Sequence, residues 1–361
     1  MAASNKRLMR SVCPMVTPYE RVMDAIQLKE SDSVPVVPQI TYTTARIIGI
    51  KFVDAIKSSE VMAHALLAGY REILYDGIYV GWESSFDLVA EAMGCTLRMP
   101  EDDLPSISES VVKTKSDIDK VKLPDPEKDG RLPIHLKAID IVKKNVGNKI
   151  PIFRYIPGPF TLATLLRGTY DALLELRTDK AFIHKLIRLA TDASKLFGIA
   201  AVNHGADIVV VADPTASSSV ISPEMFREFS LPYTKEILSA VKKAGAVPSL
   251  HICGKTEPIL GDMVKTGAEV LEVDYLVDLA KAKSSVGKQV CLEGNIDPAG
   301  VLLKEKPSRV MRSAKDCIKR AAADGGFILS SGCEVPLDAP IENLKAMVKA
   351  ARTYGLYKKP K

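Results

Sequence analysis

Two distant segments of the chain carry side chains that bind soft metal ions. They read Leu250-His251-Ile252-Cys253-Gly254 and Ser331-Gly332-Cys333-Glu334, and each lies where an apolar, strand-like run ends. His251 and Cys253 are two residues apart, so on an extended strand they face the same side. Together with Cys333 they offer one imidazole and two thiols. This donor set predicts a catalytic zinc site with one coordination position left open.

The remaining cysteines do not share this pattern. We interpret Cys95, Cys291 and Cys317 as small buried apolar residues, and Cys13 lies in a terminal segment. Structural thiols are the alternative interpretation of Cys253 and Cys333. Six cysteines without a dense framework indicate a reducing compartment, in which a Cys/His pattern favours metal binding over disulfides.

Apolar, β-branched runs alternate with helical stretches along the chain, which is typical of repeated βα units. Runs that are apolar on both faces indicate a parallel sheet covered by helices. Eight such units in 361 residues predict an α/β fold, a (β/α)8 TIM barrel. The predicted strands are 34–39, 77–82, 150–156, 207–213, 247–253, 269–275, 289–294 and 327–332.

We predict two parts, an N-terminal helical extension over 1–33 and a single barrel catalytic domain over 34–361. The composition, 47% hydrophobic and 26% charged, is that of a globular protein. The net charge of +5 is not gathered into a basic stripe, so we expect no nucleic-acid partner. No run reaches the roughly 20 apolar residues of a membrane span, and no secretory signal is recognisable. We therefore expect a cytoplasmic protein without a membrane partner.

Active sites of TIM barrels lie at the C-terminal ends of the strands, so polar residues at the predicted strand ends are the candidates. For Asp213, a role as a turn or helix cap is an equal alternative. The predicted metal ligands are His251, Cys253 and Cys333, the predicted catalytic residues are Asp213, Glu293 and Glu334, and the predicted substrate-binding residues are Gln39, Tyr42, Trp82, Tyr155 and Asn295.

These motifs resemble those of the uroporphyrinogen decarboxylase superfamily, and specifically its zinc-dependent, corrinoid-linked methyltransferase branch. The resemblance covers nearly the whole chain. Its segments are 21–26, 33–36, Ala212-Asp213-Pro214, His251-Ile252-Cys253-Gly254, Gly294-Asn295-Ile296-Asp297-Pro298, Gly332-Cys333 and 336–344.

Two departures separate the chain from the decarboxylase itself. Where that enzyme carries Met-Arg-Gln-Ala-Gly-Arg, whose arginines hold substrate carboxylates, this sequence reads Pro38-Gln39-Ile40-Thr41-Tyr42-Thr43-Thr44. Where the decarboxylase has a histidine near its C-terminus, this chain has Cys333. Both departures favour metal binding over carboxylate binding.

The resemblance implies methyl transfer between a small substrate and the cobalt of a corrinoid (cobalamin) carried by a separate partner protein. Two directions exist in the branch. In one, zinc activates a methylated donor such as a methoxylated aromatic, and Co(I) removes the methyl group. In the other, zinc holds a thiol such as coenzyme M for attack on methyl-Co(III).

Different residues of the chain favour different directions of methyl transfer. The aromatic residues Tyr42, Trp82, Tyr155 and Phe160 near strand ends favour a ring substrate and demethylation, and we lean that way. Two thiolate ligands lower the Lewis acidity of the metal and favour the thiol acceptor. Glu293 or Glu334 is expected to fill the fourth metal position. A metal-free decarboxylase and a non-catalytic ligand-binding protein are further alternatives, and homo-oligomerisation stays open.

Overall fold

The computed structural model describes residues 16–81, 85–100 and 104–357. Seven strands form one parallel sheet whose spatial order follows the chain, and two further strands form an antiparallel hairpin outside it. The strands are β1 (Ile78–Val80), β2 (Thr96–Arg98), β3 (Ser106–Glu109), β4 (Ile152–Pro157), β5 (Ile208–Ala212), β6 (Val247–Ile252), β7 (Val270–Val273), β8 (Cys291–Ile296) and β9 (Phe327–Ser331). The hairpin is β2 with β3.

Helices follow the strands of the parallel sheet and cover it. No helix among the described residues has the length and apolar character to cross a membrane. The helices are α1 (Pro18–Ile26), α2 (Phe52–Ala55), α3 (Ser59–Ile73), α4 (Ser85–Ala92), α5 (Leu132–Val146), α6 (Pro159–Arg167), α7 (Thr169–Thr178), α8 (Lys180–Asn203), α9 (Pro223–Phe229), α10 (Leu231–Ala244), α11 (Leu260–Lys265), α12 (Leu279–Val286), α13 (Pro307–Ala321) and α14 (Ile341–Tyr354). Five shorter helical turns lie at Tyr42–Ile48, Lys115–Lys120, Pro214–Ala216, Glu257–Ile259 and Pro298–Leu303.

The first predicted strand is an extended segment between β9 and β1 and not a regular strand. Val36 forms a parallel bridge with Leu329, and its carbonyl accepts a hydrogen bond of 2.7 Å from the backbone N–H of Asp76. Pro35 and Pro38 lack the N–H groups that a continuous ladder needs. The other seven predicted strands are present, and the fold is the expected (β/α)8 barrel.

A buried carboxylate ties the N-terminal residues to the barrel. Asp76, 1% exposed, pairs with Arg21 of α1 and with Arg352 of α14, both at 2.7 Å. Arg21 also pairs with Asp32 at 2.6 Å. These ion pairs join α1, the segment before β1 and α14. The division at residue 33 stays a prediction.

The strand register places acidic and basic side chains in one layer of the barrel. His251 of β6 is aligned with Glu272 of β7, and Glu272 is aligned with Glu293 of β8. All three are 0–1% exposed. Charged residues are rarely buried unless they are paired, so this layer marks a functional region of the barrel.

Candidate metal centre

Three predicted metal ligands meet at the C-terminal end of the barrel. His251 is near the end of β6, Cys253 is just beyond it, and Cys333 follows β9. One donor atom from each side chain lies within 4.8 Å of the others, and Cys333 Sγ is 3.9 Å from His251 Nε2. The structure therefore brings together residues that are 82 positions apart in sequence.

The donor set fits zinc in type and spacing. Zinc bond lengths of about 2.0 Å to nitrogen and 2.3 Å to sulfur place tetrahedral ligands about 3.5–3.8 Å apart. A small inward movement of the three donor atoms would reach that spacing. Two thiols and one imidazole are donors that favour zinc over magnesium or calcium. If these three residues held a tetrahedral zinc ion, one coordination position would stay available for a substrate.

Hydrogen bonds among the three candidate ligands shift the pKa of each side chain. Hydrogen bonding from Cys333 and the neighbouring His251 lower the pKa of Cys253 to about 4, against the opposing effect of burial. Burial would lower the pKa of His251, but its hydrogen bonds with Cys253 and Glu272 raise it to about 10. The hydrogen bond with Cys253 and burial raise the pKa of Cys333. At neutral pH the metal-free cluster therefore holds a Cys253 thiolate beside a protonated His251 and a protonated Cys333.

Glu272 anchors the metal-binding imidazole from below. Its Oε2 is 3.0 Å from His251 Nδ1, which leaves Nε2 directed to the thiols. The Tyr155 hydroxyl donates to the same oxygen, as does Gln39 Nε2 at 3.2 Å, and the Tyr79 hydroxyl donates to Oε1 at 3.0 Å. A carboxylate behind a histidine ligand fixes the tautomer that binds the metal.

Glu293 extends this buried layer. Its Oε1 lies 2.7 Å from the Tyr79 hydroxyl oxygen, and the rings of Tyr79 and Tyr155 stack with centroids 4.9 Å apart. Burial and the neighbouring Glu272 carboxylate raise the pKa of Glu293 well above its usual value. Glu293 therefore holds its proton more tightly than an exposed glutamate does, and it lies beneath the three candidate metal ligands.

Asp213 and Asn295 hold loops in place. Asp213 is fully buried and accepts hydrogen bonds from the Thr161 backbone N–H at 2.6 Å and the Ser230 hydroxyl at 2.8 Å. This is the capping alternative predicted for it. Asn295 Nδ2 donates to the carbonyls of Asp274 and Val277 at 3.0 and 2.9 Å. Both residues have structural contacts that account for their positions at strand ends.

The predicted substrate-binding residues separate into three environments. Gln39 and Tyr155 are buried beneath His251, where they support Glu272. Tyr42 is partly buried at the start of a helical turn, and Trp82 lies outside the described residues. Of the predicted acids, Glu334 is partly buried beside Cys333, and its Oε1 accepts from the Thr41 hydroxyl at 3.2 Å.

The sequence prediction missed Glu272 and Tyr79. A signal for Glu272 was present, because a carboxylate inside the apolar run Val270-Leu271-Glu272-Val273 is costly unless it is paired. Tyr79 gives no such signal, since an aromatic residue in a strand is common. Its contact with two carboxylates depends on strand register.

Fold and site together define a (β/α)8 barrel protein with a candidate His-Cys-Cys metal centre at the end where such barrels carry active sites. The chain belongs to the uroporphyrinogen decarboxylase (URO-D) family, whose model matches residues 17–354. The family resemblance of the sequence motifs is confirmed.

Relatives that are 29–32% identical to the chain are methyltransferases, and uroporphyrinogen decarboxylases are 26–27% identical to it. The chain is 32% identical over 345 residues to the methylcobamide:CoM methyltransferase MtbA of Methanosarcina acetivorans, covering 94% of this chain and 98% of the relative. It is 30% identical over 341 residues to the methylcobamide:CoM methyltransferase MtaA of Methanosarcina barkeri, covering 92% and 97%. A solved methyltransferase from Methanosarcina mazei superposes with a TM-score of 0.87 at 28% identity, covering 94% and 99%.

Proposed function

We propose that the chain transfers a methyl group from a methylated corrinoid, carried by a partner protein, to a small thiol at a zinc held by His251, Cys253 and Cys333. The observation that carries this proposal is the convergence of one imidazole and two thiols within 4.8 Å at the catalytic end of the barrel. The similarity to methylcobamide:CoM methyltransferases supports a thiol acceptor such as coenzyme M.

When bound, zinc would keep the acceptor thiol as a thiolate at neutral pH. The thiolate sulfur forms a bond to the methyl carbon, the carbon–cobalt bond breaks, and cobalt leaves as Co(I) with the electron pair. The thiol proton passes to solvent. Cys253 and Cys333 would contribute two negative charges to the zinc ion, which would favour a nucleophilic thiolate over strong Lewis acidity.

The residues beneath the metal hold it in position and exclude water. Glu272 orients His251, while Gln39, Tyr79 and Tyr155 hold Glu272 by hydrogen bonds. Because these side chains are 0–1% exposed, the metal centre is reached from the barrel mouth and not from below.

The aromatic residues near the strand ends favoured the demethylation direction in the sequence, and the structure weakens that argument. Tyr155 and Phe160 are 0% and 2% exposed, so they pack the barrel and do not line an open pocket for a ring substrate. The relatives also favour the thiol alternative. Removal of a methyl group from a methoxylated aromatic stays an alternative.

Mixing the zinc-loaded protein with methylcobalamin and 2-mercaptoethanesulfonate tests the proposal. We expect the methyl–cobalt absorbance to decay to the Co(I) spectrum under anaerobic conditions and the methyl thioether to form in equal amount. The Cys333→Ser variant should lose this activity. A Cys95→Ser variant, altered at a buried thiol next to the Leu165 carbonyl, should keep it. Methyl transfer only from a methoxylated aromatic to Co(I) would support demethylation and contradict the proposal.

A further inference from the structure

A cavity of about 430 Å³ lies beside the ends of β7 and β8, against the face of α13. It adjoins the metal centre, because Tyr275 lines the cavity and its backbone nitrogen packs against Gly332, the residue before Cys333. A Cβ atom added to Gly332 would lie 2.4 Å from that nitrogen. The cavity therefore lies at the same end of the barrel as the candidate metal centre, and none of the three candidate ligands lines it.

Three arginines and two aspartates line this cavity, which leaves its lining with one excess positive charge. Arg309 and Arg312 are three positions apart on α13 and so lie on the same side of the helix. Both line the cavity and are exposed. Within residues 16–81, 85–100 and 104–357, no carboxylate lies within ion-pair distance of either guanidinium group. The hydroxyl of Ser313, the next residue, also lines the cavity.

The carboxylates of the cavity have other partners. Asp316 Oδ2 pairs with Arg320 Nε at 2.8 Å. Asp297 Oδ1 accepts hydrogen bonds from the two backbone N–H groups that open the next helical turn, at 3.0 and 2.7 Å. Asp297 keeps its negative charge, but among the described residues neither carboxylate forms an ion pair with Arg309 or Arg312.

We propose that this cavity binds an oxyanion of the phosphate class through Arg309, Arg312 and Ser313. Two guanidinium groups one helical turn apart provide several charged N–H donors, and a hydroxyl adds a neutral one, which suits the oxygens of a tetrahedral anion. The phosphate has two chemical sources, a free phosphate compound or the phosphodiester in the nucleotide tail of a corrinoid. This site goes beyond the proposed methyl transfer and is distinct from the metal centre.

Calorimetric titration with inorganic phosphate at low ionic strength tests the site directly. We expect binding to the wild-type protein and a loss of about tenfold or more in affinity in the Arg309→Gln/Arg312→Gln variant. The matched control is Lys304→Gln/Lys319→Gln, which removes the same charge from exposed lysines outside the cavity. The absence of phosphate binding, or equal affinities in all three proteins, would overturn the proposal.

A second titration distinguishes the sources by comparing cobalamin with cobinamide, which lacks the nucleotide and its phosphodiester. Tighter binding of cobalamin in the wild type, lost in the arginine variant, assigns the site to the corrinoid tail. Equal binding of the two corrinoids assigns it to a free phosphate compound. The phosphate titration requires no methyl transfer, so failure of the proposed function and failure of this site are separable.

Discussion

Glu272 lies directly behind His251, with its Oε2 3.0 Å from Nδ1, while Nε2 on the other side of the ring is 3.9 Å from Cys333 Sγ. The imidazole is therefore held between a buried carboxylate and the thiols. This arrangement fixes the orientation of the His251 ring and leaves Nε2 as the nitrogen available to a metal.

Replacing Glu272 by glutamine should weaken zinc binding by about 10- to 100-fold. The amide can donate to Nδ1 and so favours the tautomer that carries its proton on Nε2, where the metal must bind. Competition with a chromophoric chelator measures the affinity. Glu269→Gln, just before β7, is the matched control and should bind zinc as the wild type does. Equal affinities of the Glu272→Gln variant and the wild type would contradict the anchoring role.

Zinc affinity should rise steeply with pH. His251, with a pKa of about 10, and Cys333, with a raised pKa, hold protons at neutral pH, whereas Cys253, with a pKa of about 4, does not. Zinc must displace those protons, so we expect about two protons released for each ion and a roughly hundredfold gain in affinity per pH unit near neutrality. Calorimetry in buffers of different ionisation enthalpy counts the protons. Release of none would contradict this protonation pattern.

The Glu293→Gln variant should gain stability relative to the wild type as pH rises. Burial and Glu272 raise the pKa of Glu293, so folding takes up a proton. The stabilising effect is complete below the unfolded-state pKa of about 4.3 and is lost as pH rises towards the folded-state pKa. Glutamine does not titrate. The relative free energy of unfolding should therefore increase with pH above the unfolded-state pKa, by at most about 1.4 kcal/mol per pH unit. Urea denaturation at several pH values measures it, and a difference independent of pH would contradict the assignment.

The Gly158→Ala substitution should destabilise the protein by about 1–3 kcal/mol. A Cβ atom at Gly158 would lie 2.3 Å from the Cβ of Asp213 and 2.6 Å from its Oδ1, which would displace the carboxylate that caps α6. Thermal denaturation measures the effect. Gly261→Ala is the control, because a Cβ atom there meets nothing within 4 Å and should leave the melting temperature unchanged or raise it. Equal melting behaviour of the two variants would contradict the close approach at Gly158.

The barrel could be predicted from sequence because strand and helix patterns depend on residues that are close together in the chain. Apolar runs marked seven strands correctly. A serine followed by a proline is a local pattern typical of a helix start, and at α9 the Ser222 hydroxyl accepts from the Met225 backbone N–H at 3.2 Å. Pro35 and Pro38 are visible in the sequence, but their effect on the ladder of the first strand appears only when its neighbour, β9, is known.

The three candidate metal ligands could be selected from the sequence because cysteine and histidine at strand ends are chemically distinctive, and the structure brings them within 4.8 Å of one another. The residues that hold these side chains in place could not be recognised from the sequence in the same way. The contacts of Glu272 with His251, Tyr79 and Tyr155 depend on the alignment of four strands, which a single sequence does not specify. For the same reason Tyr155, expected at the substrate, lies beneath the metal ligands.

The metal content of the protein, purified without chelators and measured by mass spectrometry, tests the central claim most directly. We predict about one zinc per chain, with loss of the metal in a Cys253→Ser/Cys333→Ser variant. A Cys95→Ser/Cys317→Ser variant, altered at two other buried thiols, should retain it. A folded wild-type protein that contains no zinc and takes up none when it is added would contradict the metal centre and the methyl transfer proposed for it.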